Sequence, residues 1–160
     1  MIMSVLLRLC FTVTLAVGIA HACGCTEASV QAKKERADVI FRGTIIALRD
    51  AKSATDLPSG VRDAQKVAVF RVSRVWKGDI GETFEMPAVE ETSACTGFWP
   101  KYLKVGSDLL VYARRFGSQY YTSICGSHKL ISNAGDESAK DFKELGPGEV
   151  PQKKNDQDSK

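Results

Sequence analysis

A chain of 160 residues with 44% hydrophobic and 26% charged residues has the composition of a globular domain, which excludes long disordered, collagenous and multi-spanning membrane architectures. Lys and Arg total 22 against 19 Asp and Glu, a net charge of +3 with no basic cluster. That balance implies neither a nucleic-acid partner nor an anionic membrane.

The first 22 residues read as a secretory signal peptide. Arg8 precedes an 11-residue apolar run from Leu9 to Ile19, too short to span a bilayer, and Ala20-His21-Ala22 supplies the small residues that signal peptidase accepts. Cleavage after Ala22 is expected to leave an exported, soluble chain of 138 residues and net charge +2, because the leader carries one Arg and no acid. The expected location is extracellular or periplasmic, with no membrane attachment after cleavage. A lipidated Cys23 is the less favoured reading of the junction: position 20 is Ala where lipoprotein signals carry Leu, and lipidation would leave an odd thiol among Cys25, Cys95 and Cys125.

Cleavage also removes Cys10, so five cysteines become four: Cys23, Cys25, Cys95 and Cys125. In an oxidising compartment four cysteines imply two disulfides. A Cys23–Cys25 pair would close a tiny strained ring. Both remaining schemes tie each N-terminal cysteine to Cys95 or Cys125, closing loops of roughly 70 to 100 residues, each worth about 4 to 5 kcal/mol on the chain-entropy model.

Along the mature chain, Thr26 is expected to cap a helix from Glu27 to Arg36. Asp38 to Leu48 is rich in β-branched residues and reads as a long strand that bends or bulges at Gly43. Residues 50–64 form a polar connection. Lys66 to Trp76 alternates with period two, placing Val67, Val69, Arg71, Ser73 and Val75 on one side and Ala68, Phe70, Val72, Arg74 and Trp76 on the other. A turn follows over Lys77 to Gly81. Strands are expected at Thr83 to Val89, Asp108 to Arg115 and Tyr120 to Cys125, the last two joined through Gly117. A second helix, Asp136 to Leu145, ends at Gly146 and Pro147. The polar stretch from Gly148 to Lys160 reads as disordered tail.

Five strands with one short helix before the first and one after the last predict a mainly β fold, a five-stranded closed barrel of the oligonucleotide/oligosaccharide-binding (OB) type, stapled by disulfides. The domain spans residues 23–146, the tail residues 147–160, and there is no internal repeat.

The chemistry concentrates at Cys23-Gly24-Cys25. With Ala37-Asp38-Val39-Ile40-Phe41-Arg42, Trp76-Lys77-Gly78, Thr92-Ser93-Ala94-Cys95-Thr96-Gly97 and Thr122-Ser123-Ile124-Cys125 following in order, residues 23–126 resemble the N-terminal inhibitory domain of the tissue inhibitors of metalloproteinases, a netrin-like OB module. The resemblance implies the pairing Cys23–Cys95 and Cys25–Cys125. It also implies that the α-amine and carbonyl of Cys23 chelate the catalytic zinc of a partner metalloprotease, with Gly24, Cys25 and the segment Glu91, Thr92, Ser93, Ala94, Cys95 and Thr96 against the protease cleft. A catalytic zinc keeps one position open for water, and a rigid chelator held by two bridges displaces that water at little ordering cost. The family's third disulfide and C-terminal domain have no counterpart here. Gly24 stands where inhibitory members carry Thr or Ser, so the specificity pocket is left unfilled.

The expected protein is therefore a monomeric, non-enzymatic inhibitor without a cofactor of its own, the zinc being the partner's. The alternative is a secreted binding or scaffold domain that keeps the fold and bridges without inhibiting a protease. His128, the single mature histidine, reads as an ordinary loop residue, and Cys23 and Cys25 with His128 as a metal set is outweighed by oxidation. Trp76, Phe70 and Phe98 read as core rather than a base-stacking platform. No Ser-His-Asp, Cys-His or paired-carboxylate constellation is available for catalysis.

Overall fold

A computed structural model describes residues 25–51, 66–90, 95–131 and 138–153. The chain enters helix α1 (Val30–Arg36) not at Thr26 but at Ser29, whose Oγ accepts from the Ala32 N–H at 3.2 Å. Cys25 is tied to Cys125, the residues after it have no regular structure, and the next hydroxyl residue supplies the cap. Strand β1 (Val39–Asp50) runs antiparallel to β2 (Lys66–Lys77), with a register shift between Arg42 and Gly43 as expected. Gly43 is needed there because a Cβ would come within 3.1 Å of the Arg71 carbonyl oxygen and 3.2 Å of the Phe41 ring.

That irregularity also breaks the expected period of β2. Ala68, Phe70 and Val72 point inward as one set, yet the next inward residue is Val75, with Ser73 and Arg74 both exposed.

 Trp76 therefore turns to the opposite face. Strand β3 (Thr83–Pro87) is shorter than the expected Thr83 to Val89, although the Ala88 N–H still reaches the Lys66 carbonyl at 2.9 Å. A 3-10 turn at Pro100–Tyr102 leads to β4 (Asp108–Phe116), which pairs with the other edge of β1.

The strand expected over Tyr120 to Cys125 stops at Tyr121, and a further short strand, not expected, follows at His128. β5 (Gln119–Tyr121) pairs with the end of β4, the chain loops out over residues 122–127, and β6 (His128–Leu130) returns to pair with Leu109 to Val111 of β4. Thr122 Oγ1 lies 3.1 Å from both the Tyr112 and Ser127 carbonyl oxygens and closes the excursion. Helix α2 (Ala139–Leu145) ends at Gly146, φ 79°, whose N–H reaches the Phe142 carbonyl, as the Gly-Pro signal indicates.

The fold is mainly β: a sheet in the order β3-β2-β1-β4-β5, with β6 also on β4, curls into a half-barrel. Inside the curl lie Phe41, Phe70, Phe98, Ile45, Leu109 and Val111. The end strands β3 and β5 meet through the Phe84 and Tyr120 rings, 5.2 Å apart. On the outer face Ile40, Leu110 and Tyr112 are covered by the two helices, with Trp76 and Phe142 packed beside them. The first residues of the stretch expected as a disordered tail from Gly148 are held to the sheet. Glu149 exchanges two backbone hydrogen bonds with Val75, at 2.7 and 2.8 Å, and Pro151 is buried. Residues 154–160 lie outside the described residues, as does most of the expected loop at 50–64.

Candidate functional site

The cysteine edge is assembled by the 122–127 excursion. Cys25 is bonded to Cys125, and Cys95 is also disulfide-bonded. The expected partner of Cys95, Cys23, lies outside the described residues, together with Gly24 and with Glu91, Thr92, Ser93 and Ala94.

The two cysteine loops are fastened to each other by Ser123. Its Oγ donates to the Cys95 carbonyl at 2.8 Å and accepts from the Cys125 N–H at 3.1 Å, while the Ile124 N–H donates to the same Cys95 carbonyl at 3.1 Å. Thr96 pairs with Ser123, and Gly97 donates to the Thr122 carbonyl at 2.9 Å. Cys95 adopts φ 57°, a conformation that non-glycine residues hold only where their surroundings impose it. Gly97, at φ 120°, admits no side chain, since a Cβ would lie 2.4 Å from the Val89 carbonyl oxygen. The structure thus brings Cys25, Cys95, Thr96 and Cys125 to one edge, where Cys25 is exposed.

Beneath this edge His128 is buried in β6, not in a loop. Its Nδ1–H donates to the Ser123 carbonyl at 3.1 Å, so Nε2 accepts from the Trp99 N–H at 3.2 Å. Phe98 and Tyr102 rings stand 5.0 and 5.7 Å away. Burial outweighs the hydrogen bond to Ser123 and lowers the imidazole pKa to about 4, which keeps the ring neutral. A pocket of about 450 Å³ opens between Cys25, Trp99, Tyr102, His128 and Lys129.

Sequence reasoning missed a second polar feature behind the edge. Asp141 of α2, 1% exposed, receives Lys33 Nζ at 2.5 Å and the Tyr112 hydroxyl at 2.8 Å on Oδ2, and Lys129 Nζ at 2.9 Å on Oδ1. Lys129 also reaches Glu27 Oε1 at 3.3 Å, which ties the cluster to the segment just after Cys25. Burial pushes the Asp141 carboxyl up, but hydrogen bonds from Lys33, Lys129 and Tyr112 outweigh it and hold the group below the usual carboxylate range. Burial, followed by the bond to Asp141, raises the Tyr112 hydroxyl. Lys129 is held above the usual lysine range because, although burial pulls it down, Asp141 and Glu27 outweigh that effect.

Among the described residues no group of three His, Cys, Asp or Glu side chains is arranged to hold a metal ion, and no helix is long and apolar enough to cross a membrane. No family model matches the chain, and no curated protein matches it in sequence.

Proposed function

We propose that this chain is an exported metalloprotease-inhibitor-like domain, a closed or nearly closed OB-type barrel whose mature N-terminus acts on the zinc of a partner enzyme. The observation that supports the reading best is the Cys25–Cys125 bond beside a disulfide-bonded Cys95 on one clamped edge. With Cys23 paired to Cys95 and cleavage after Ala22, the α-amine and carbonyl of Cys23 would form a five-membered chelate on the zinc and displace the water that attacks the peptide bond. Gly24 would leave the protease's specificity pocket empty, so affinity would come from the chelate and from the Cys95 loop.

The test is a chain that retains Ala22 with its disulfides formed. Its extra residue converts the Cys23 α-amine to an amide, a poor zinc ligand. The expected outcome is loss of inhibition of matrix-type metalloproteases with an unchanged thermal unfolding curve. Inhibition by the native chain is also expected to weaken as pH falls below an α-amino pKa of about 7.7 to 8, because the protonated amine has no lone pair. Equal inhibition by the extended and native chains would overturn the zinc-directed reading. Intact mass and N-terminal sequencing of exported material check that Cys23 is first and free of lipid.

A further inference from the structure

We propose that the groove running from Arg36 past Arg114 to Arg115 binds an acidic segment of a partner protein through its carboxylates. Two pockets of about 260 and 330 Å³ adjoin there, and Tyr112, Arg114, Ser123 and Ser127 belong to the walls of both. Lys33 and Arg36 line the first and Arg115 and Phe116 the second, while among the described residues no Asp or Glu lines either. In a chain whose net charge is only +3, this is a marked local separation of charge.

Lys33 is committed to Asp141. The other three cations are not: Arg36, Arg114 and Arg115 are exposed, and among the described residues none of their guanidinium groups takes part in a hydrogen bond or ion pair. Asp38, which meets the same strand end, directs its carboxylate to the backbone N–H of Arg115 at 2.6 Å. A guanidinium presents a planar fork of donors that matches a carboxylate, and the Ser127 side chain in the wall suits the polar backbone of a peptide.

The dimensions favour a short protein segment over an extended polyanion. A polyanion bound by counterion release draws on roughly six to ten cationic contacts, and this groove has three unpaired ones. Phe116, 54% exposed, adds an apolar wall that a peptide side chain can cover. The groove abuts the cysteine edge, since Thr26 and Cys125 line one pocket and Thr96 the other. A partner docked on that edge would meet the arginines without rearrangement. The groove does not depend on the zinc-directed reading.

The experiment measures fluorescence polarisation of labelled hexaglutamate with the full exported chain at low and at physiological salt. Binding that weakens with salt is expected, falling about tenfold in each of Arg114→Gln and Arg36→Gln, the loss of one charge-assisted hydrogen bond. Arg74→Gln, which removes an exposed arginine of β2 outside the groove, is expected to leave binding unchanged. Absence of binding, or equal weakening by Arg74→Gln, overturns the proposal. Tighter binding of a heparin-derived hexasaccharide than of hexaglutamate overturns it in favour of a polyanion. Arg36→Gln lies at an exposed helix end, so the test stands even if the strand variant folds poorly. The Ala22-retaining chain should bind hexaglutamate like the native chain, which separates this outcome from failure of the inhibitor reading.

Discussion

The two faces of the sheet are held by different physics. The inner face is aromatic and largely buried, with Phe41 edge-on to Phe70 and Phe84 at 5.3 and 5.2 Å. The outer face has a small apolar patch and, beside it, a buried carboxylate shared by two lysines and a tyrosine. Apolar packing is forgiving in direction, because its energy follows area and shape. An ion cluster adds little net stability, since desolvation offsets most of the attraction, but removing one member leaves its partners buried and unpaired. The helices are thus located on the sheet by a few atoms of Asp141, and the strands are held together by many atoms of the core.

Asp141→Ala is the change that tests this contrast most severely. It strands Lys33 and Lys129, and a loss of about 3 to 5 kcal/mol in urea unfolding is expected, whereas replacing Lys33, Asp141 and Lys129 together with Met, Leu and Met should recover most of it. Equal losses for the single and triple variants would place the outer face under the same rules as the inner one.

Acid separates the faces next. His128, on the inner side, has its pKa lowered from 6.5 to about 4. The unfolded chain therefore binds the extra proton first, and stability, complete above pH 6.5, falls by about 3 kcal/mol as pH drops to 4. Asp141, held below its ordinary value, contributes stability that disappears only at lower pH still. Urea unfolding at a series of pH values should show the upper loss vanish in His128→Gln while the lower one stays.

The smallest effect concerns the helix that carries Lys33 to the outer face. Ser29→Ala should cost about 1 kcal/mol and Thr26→Ala a few tenths at most, because only the former removes the cap. Thermal unfolding of the pair decides between the two hydroxyls.

Features written in local residue preferences were legible in the sequence. Gly43 marked the irregularity of β1, Gly146 before Pro147 marked the end of α2, and the even spacing of Ala68, Phe70 and Val72 marked the inward side of β2. Features that depend on distant partners were not. Lys33 and Asp141 are 108 residues apart, and a lysine beside Lys34 in a short charged helix reads as a solvated charge. His128 stands among polar residues, and its burial comes from Phe98 and Tyr102 folding over it. The early end of β5 goes with the Thr122 hydroxyl lying within reach of the Tyr112 and Ser127 carbonyls, a contact with no signature in the pattern of apolar residues. At the cysteine edge, spacing left two pairings open and the family resemblance selected the one that contains Cys25–Cys125. The clamp at Ser123 was invisible for the same reason as the ion cluster.

The Cys25–Cys125 bond spans 100 residues and, among the described residues, encloses every strand except β6. A chain emerging from its N-terminus during synthesis therefore displays Cys25 long before its partner exists, and Cys95 appears first. At the roughly 5 to 20 residues per second of translation, the 30 residues between Cys95 and Cys125 give a wrong pairing a window of about 2 to 6 seconds, comparable with the faster end of disulfide formation. Correct maturation then calls for a thiol–disulfide exchange catalyst, or for oxidation deferred until the 122–127 excursion has been drawn against the Cys95 loop.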